Sequence, residues 1–307
     1  MKKGKYLITG CAGFIGSNLV KKLYKEYDLI LVDDLSSGSL LNLPRNLRKK
    51  LIRKKIQDIR KIKINKIQGI FHLAAQASAP LSLIDFYKSS KNNIESSLKS
   101  FELSKQFSAP IVHASSSAVY GNLSLGNDQK EKFSILSPYA QDKLTVEQYA
   151  KALFEIFKIP SIGLRFFNVY GPGQRSNSPY SGVIPIFINR MLKRLPVVIN
   201  GGFQTRDFVY VEDVVDIMQK LMNKIQNRKT FQIFNLGTGR SVKIDFLFKL
   251  IKKNLGVNPK IVRRKLDKFD PKRSTGTNKK ILKYLNLKKY NFTKLENGII
   301  KTINSRK

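Results

Sequence analysis

Acidic residues, sulfur and long apolar runs are all scarce in this 307-residue chain: 21 Asp+Glu stand against 57 Lys+Arg, beside one cysteine and two histidines. The lone Cys11 excludes an intramolecular disulfide and fits a reducing compartment. So few soft ligands also argue against a structural zinc site, and no metal is expected. No apolar stretch approaches the ~20 residues that span a bilayer. A strand-like run, Tyr6–Thr9, begins so close to Met1 that no signal peptide is expected. The expectation is a cytoplasmic protein with no membrane partner.

What the chain has in excess is positive charge, a formal +36. Such a field attracts anions, whether nucleic acid, acidic lipid or a phosphorylated metabolite. The basic residues are scattered (Lys2, Lys3, Lys21, Lys22, Lys49, Lys50, Lys279, Lys280) rather than gathered in a tail or an aromatic-interleaved module. That distribution favours solvated basic faces over nucleic-acid binding.

Short β-branched runs alternate with longer amphipathic stretches, the pattern of βαβ units in a doubly wound parallel α/β sheet of Rossmann type. Strands are expected at Tyr6–Thr9, Leu29–Asp33, Leu51–Ile56, Gly69–Leu73, Ile111–Ser115, Ser161–Arg165 and Phe231–Asn235. Helices are expected at Phe14–Lys25, Asn92–Gln106, Pro138–Phe157, Val211–Asn223 and Ile244–Asn254. Val146, Tyr149, Ala150, Leu153 and Phe157 recur at helical spacing and read as a core stripe, or alternatively a dimer seam. After Arg165 the pattern loosens into Gly171-Pro172-Gly173, Asn177-Ser178-Pro179 and Gly201-Gly202. This suggests a Rossmann domain over 1–165 and 209–240, with a smaller interleaved C-terminal substrate domain over 166–208 and 241–307.

The first strand runs into Gly10-Cys11-Ala12-Gly13-Phe14-Ile15-Gly16 and then a helix. Gly10 suits the tight turn, Gly13 the approach of backbone N–H groups to a pyrophosphate, and Gly16 close helix–strand packing. Asp33 ends the next strand, 17 residues after Gly16, where it can accept from an adenosine ribose and repel a 2′-phosphate. NAD is therefore the expected cofactor; the alternative is that Asp33 or Asp34 only caps the following turn. Ser116 follows an apolar strand, at the sheet edge where open α/β folds place their sites. Tyr139 and Lys143 sit at i and i+4 on one helical face. A phenol titrates near ~10, and an adjacent ammonium would stabilise the phenolate, making Tyr139 a candidate general base with Ser116 sharing the proton.

With these residues in view, the sequence resembles the extended short-chain dehydrogenase/reductase family, in particular its nucleotide-sugar epimerases. The resembling stretches are ITGCAGFIGSNL, VDDLSSG, QDIR, FHLAAQAS, SSSAVYG, SPYAQDK, RFFNVYGPGQ, TRDFVYVEDV and NLGTG. The resemblance implies that Phe14 and Ile15 line the phosphate loop and that Asp58 and Ile59 contact adenine. It places Ala74, Ala75 and Gln76 by the nicotinamide, with Asn93 supporting them, and has Lys143 also bond the nicotinamide ribose. It makes Ser116, rather than Ser115 or Ser117, the catalytic serine. Asn168 and Arg206 are implied to hold a nucleotide diphosphate, a task that suits a guanidinium. A second phosphate-binding arginine often stands three residues before the aspartate equivalent to Asp270; here that position is Asp267, and Arg263, Arg264, Lys265 or Lys268 are candidates to replace it. A homodimer through the helices near Asn92–Gln106 and Pro138–Phe157 is also implied.

The family's dehydratases and decarboxylases carry an acid just before VYG, where this chain has Ala118. That leaves 4-epimerisation of a UDP-sugar as the expected reaction, through a transient 4-keto sugar. Ser274 aligns with a gate near C2, where a small residue leaves room for an N-acetyl group, so both UDP-glucose and UDP-N-acetylglucosamine are candidate substrates. The alternatives are a dehydratase, 4-keto reductase or decarboxylase of the same family, or a non-catalytic dinucleotide-binding scaffold.

Overall fold

A computed structural model of the chain describes residues 2–60, 66–176, 181–226 and 228–306. Its elements begin β1 (Lys5–Thr9), α1 (Phe14–Leu23), β2 (Asp28–Val32), β3 (Leu51–Ile52), β4 (Gly69–His72), α2 (Ala79–Ile84), α3 (Phe86–Gln106), β5 (Ile111–Ser116), α4 (Pro138–Phe157) and β6 (Ser161–Phe166). They continue β7 (Asn168–Tyr170), α5 (Val183–Leu192), β8 (Val197–Asn200), β9 (Thr205–Arg206), β10 (Phe208–Tyr210), α6 (Val211–Ile225), β11 (Phe231–Leu236), β12 (Val242–Lys243), α7 (Ile244–Leu255), β13 (Ile261–Arg264), β14 (Arg273–Ser274), α8 (Lys279–Tyr284) and α9 (Leu295–Asn304). Among the described residues no helix is long and apolar enough to cross a membrane, and no cluster of His, Cys, Asp and Glu could hold a metal ion.

The chain builds a seven-stranded parallel sheet in the order β11-β6-β5-β4-β1-β2-β3. From β1 the chain winds outward through β2 and β3, then returns to the other side of β1 for β4 and β5. That reversal makes the carboxyl ends of β1 and β4 the topological switch point, where open α/β sheets bind ligands. Strand burial is nearly continuous, as expected where helices cover both faces: Tyr6 to Thr9 and all of Gly69–His72 are buried. One core cluster joins Leu7, Val32, Ile56, Ile70, Phe101 and Ile111.

The chain folds as two units, Met1–Ser116 with Pro138–Arg165 and Val215–Phe234, and Ser117–Ser137 with Phe166–Val214 and Asn235–Lys307. These units differ from the boundaries read from sequence in placing Ser117–Ser137, and residues 209–214 and 235–240, with the second. Gly126 bridges Gly276, Tyr120 Oη donates to Asn235 Oδ1 at 2.7 Å, and Asn235 N donates to Asp128 Oδ2 at 2.8 Å. No hydrophobic period in that segment marks those partners. The second unit has its own core, around Tyr170, Ile184, Phe187, Leu247, Phe248 and Ile299.

Element boundaries differ where burial is unusual. β3 stops at Ile52 instead of Ile56, because Arg53, Lys54 and Lys55 turn out to solvent at the sheet edge. α3 starts six residues earlier than expected, at Phe86, after Asp85 accepts Lys88 N at 2.9 Å as a cap. The stripe on α4 splits: Val146 and Ala150 are core, whereas Tyr149 and Phe157 are 41% and 46% exposed.

Candidate active site

β1 passes directly into the glycine loop and α1. Gly10 has φ +67°, and a Cβ there would lie 2.7 Å from Ala74 N. Only glycine therefore allows the chain leaving β4 to lie against this turn. At Gly16 a Cβ would come 2.1 Å from Gly10 O, so the first turn of α1 seats on the loop only without a side chain. Gly13 is the N-cap; no side chain caps α1 and no acidic residue stands in its first turn. The opening N–H groups at Phe14 and Ile15 thus suit a pyrophosphate, and this cradle fits a dinucleotide.

Asp33 is buried at the end of β2. Its Oδ2 accepts Ala12 N and its Oδ1 accepts Leu35 N, both at 2.8 Å. Burial pushes its carboxyl up, and these backbone bonds oppose that. Asp34 holds the turn proper, accepting Ser36 N at 3.0 Å and Ser36 Oγ at 2.6 Å. Asp33 thus ties the glycine loop to the β2 turn as well as standing where a ribose contact is expected. Asp58 is exposed in a short turn, whereas Ile59 packs its side chain into the sheet core.

β5 carries Ser116 at its carboxyl end, and the first turns of α4 carry Tyr139 and Lys143. Tyr139 is half-buried. Burial raises its phenol, a hydrogen bond from Ser116 opposes the rise, and Asp142 adds to it. Lys143 Nζ donates to Ala114 O at 3.0 Å and lies 5.8 Å from the Tyr139 ring centroid. Burial draws the ammonium down to about 8, with Asp142 and Glu147 working against it. A phenol hydrogen-bonded to a serine, with an ammonium one helical turn away, can take a proton from an alcohol and return it.

The three serines are sorted by geometry. Ser115 donates to Glu147 Oε1, while Ser116 bonds Tyr139. Arg165 grips Glu147 through Nε–Oε1 at 2.8 Å and Nη2–Oε2 at 2.6 Å, with both side chains 5% exposed. Sequence reasoning missed Glu147, Arg165 and Asp142. Glu147 had a usable signal, since it stands one turn beyond Lys143 on the same face. The loop after β4 completes this group: Ala74 N donates to Thr9 Oγ1 at 3.3 Å, and Gln76 N donates to buried Asn93 Oδ1 at 2.7 Å. Ala75 is half-buried between them. The glycine loop, residues 74–76, Ser116, Tyr139 and Lys143 thus gather at the carboxyl ends of neighbouring β1, β4 and β5.

The second unit carries Asn168, Arg206 and Ser274. Asn168 N donates to Asp207 O at 2.9 Å, and Ser274 pairs in register beside Arg206 on adjacent β14 and β9. The Arg206 guanidinium is mostly buried, ion-paired with Asp270, and donates to Thr205 O at 2.7 Å. A groove of about 850 Å³ lies by Asp267 and Asp270, with Arg264, Lys265, Lys268 and Phe203 in its lining. Arg263 also lines it but is paired with Asp245 at 3.1 Å. Much of TRDFVYVEDV proves structural. Asp207 accepts Thr238 N, Thr238 Oγ1 and Gly239 N at 2.9, 2.6 and 2.8 Å, which ties that stretch to NLGTG.

The profile of the NAD dependent epimerase/dehydratase family matches residues 6–237. A putative UDP-glucose 4-epimerase of Methanocaldococcus jannaschii is 35% identical over 258 residues, 81% of this chain and 82% of that protein. The structure of a UDP-N-acetylglucosamine 4-epimerase from Methanobrevibacter ruminantium, in complex with UDP-N-acetylmuramic acid, superposes with a TM-score of 0.91 at 33% identity, covering 100% of this chain and 99% of that one. A UDP-glucose 4-epimerase of Thermus thermophilus in complex with NAD gives 0.85 at 27% identity, with 98% of each chain covered.

Proposed function

Because the chain belongs to the NAD-dependent epimerase/dehydratase family, we propose that it interconverts the C4 epimers of a UDP-sugar, glucose/galactose or N-acetylglucosamine/N-acetylgalactosamine. The observation that carries this reading is the Ser116–Tyr139–Lys143 arrangement followed by Ala118 instead of an acid. Bound NAD supplies a hydride acceptor that later serves as donor. Tyr139 takes the 4-hydroxyl proton while Ser116 bonds the same oxygen, and the Lys143 ammonium stabilises the phenolate. When the 4-keto sugar has turned over, Tyr139 returns the proton to its oxygen. With no carboxyl group at 118 to work on a carbon centre, elimination and decarboxylation lack their acid or base. Asn168 and Arg206 hold the diphosphate, and the cations beside Asp267 replace the missing second arginine.

The test is an assay of the purified protein with UDP-glucose and UDP-N-acetylglucosamine, resolving the C4 epimers of each. The wild type is expected to turn over both. In Ser274→Tyr the N-acetylated substrate is expected to lose roughly tenfold or more relative to UDP-glucose, the scale of a steric mismatch in a pocket. Equal losses on both substrates would discard Ser274 as a gate.

A further inference from the structure

Most of the residues that α3 buries are neutral and polar, Ser89, Asn93, Ser96, Ser97, Ser100 and Ser104 beside Phe101 and Leu103, and the helix packs against α4. A carboxylate meets these residues: Asp142, itself 4% exposed, accepts Asn93 Nδ2 at 2.9 Å. The same Asn93 amide grips both backbone groups of Gln76 in the loop after β4, accepting Gln76 N at 2.7 Å through Oδ1 and donating to Gln76 O at 3.2 Å through Nδ2. A side-chain amide can present its oxygen and nitrogen either way round, and its neighbours decide which. An ionised carboxylate only accepts, so Asp142 forces Nδ2 toward itself and leaves Oδ1 for the Gln76 N–H. Ser97 Oγ donates to Asn93 O at 2.7 Å and steadies the backbone behind this amide.

We infer that Asp142 is a positioning residue: it fixes the orientation of Asn93 and thereby fastens the Gln76 loop, on the cofactor side, to the helix that carries Tyr139 and Lys143. The inference rests on the roles given above to Tyr139, Lys143 and NAD. Asp142 also sits between those two residues in sequence, and its charge holds the titration of both upward. The other groups acting on Lys143 are few. On α4 there is Glu147, which Arg165 of β6 pairs; His72 of β4 and His113 of β5 are buried and held neutral by burial. The buried side chains of α3 are not ionised, and α2 carries no ionisable residue. Removing the Asp142 charge therefore lowers the titration of Tyr139 and of Lys143 together.

The test is a double-mutant cycle read first by NAD binding in equilibrium dialysis, with no sugar present. Asp142→Leu and Asn93→Ala are each expected to weaken NAD by about 10-fold or more, the scale of losing a hydrogen bond to a charged group. Asp142→Leu/Asn93→Ala should bind within about 2-fold of the weaker single variant, since one linkage has been broken twice. Additive losses, or unchanged NAD binding in Asp142→Leu, would overturn the inference. Asp142→Asn keeps an acceptor for Asn93 and the native shape, so it keeps the test open if Asp142→Leu does not fold. Its amide can also turn a donor toward Asn93, so it should bind NAD more weakly than wild type but no more weakly than Asp142→Leu, while its pH–rate profile for UDP-sugar epimerisation moves to lower pH. An unmoved profile also overturns the inference. Should the wild type prove inactive on every UDP-sugar, the dialysis cycle still reads the linkage, and only the proposed reaction fails.

Discussion

Tyr139→Phe is expected to lower UDP-sugar turnover by about 100- to 10,000-fold, the usual worth of a positioned general base, with its melting temperature close to that of the wild type. The phenol is only half-buried and its ring is retained, so the fold loses a hydroxyl and little packing. The loss should appear in kcat, since the proton moves only in the reacting complex. The wild-type profile supplies an internal check. The ammonium of Lys143 is lost as pH rises through about 8, so turnover should decline on the alkaline side of that value. A Tyr139→Phe protein with wild-type turnover, whatever its pH profile, removes Tyr139 from the chemistry.

The second large effect is on stability. Arg165→Met should destabilise the protein by about 3–5 kcal/mol, because it leaves the Glu147 carboxylate buried without its partner. The double variant Glu147→Leu/Arg165→Met should recover most of that loss, since apolar replacement of a whole buried pair is often neutral or better. Denaturant titration with chemical probes of each transition measures both. If Arg165→Met unfolds within about 1 kcal/mol of the wild type, the pair behaves like a surface bridge and its structural role is wrong. The pair bears on the site as well as the core: Glu147 accepts Ser115, the neighbour of Ser116, and stands one turn from Lys143. A single carboxylate thus connects β5, α4 and β6.

How much of this was readable in the sequence depended on whether the burying groups were apolar. The strands near β1, β2, β4, β5, β6 and β11 announced themselves as β-branched runs, and α4 as a stripe with a Pro at its start. The early turns of α3 did not, because most of what it buries is serine and asparagine, which an apolar period cannot detect. α5 lay in a stretch read as loop because glycines and prolines punctuate it, yet Ile184, Phe187, Ile188 and Met191 all face the second core. Of the site, the glycine loop and the Tyr139–Lys143 pair were legible because their chemistry demands fixed spacing along the chain, and Ser116 was singled out among three serines by resemblance. Asp142 and Arg165 were not, since their partners Asn93 and Glu147 are set by packing between elements, and Glu147 showed only its place one turn beyond Lys143, not its bond to Ser115. Arg206 was found by resemblance, but its engagement by Asp270 across 64 residues had no local sign.

In the proposed reaction a hydride is expected to leave C4 of the sugar and return to the same carbon. Incubating the purified protein with a UDP-sugar deuterated at C4 tests this most directly, with the label located in the products and free nicotinamide followed alongside. The expected result is deuterium retained at C4 in both epimers with no reduced cofactor released. Deuterium moved to another carbon, or reduced cofactor accumulating mole for mole with product, would contradict it.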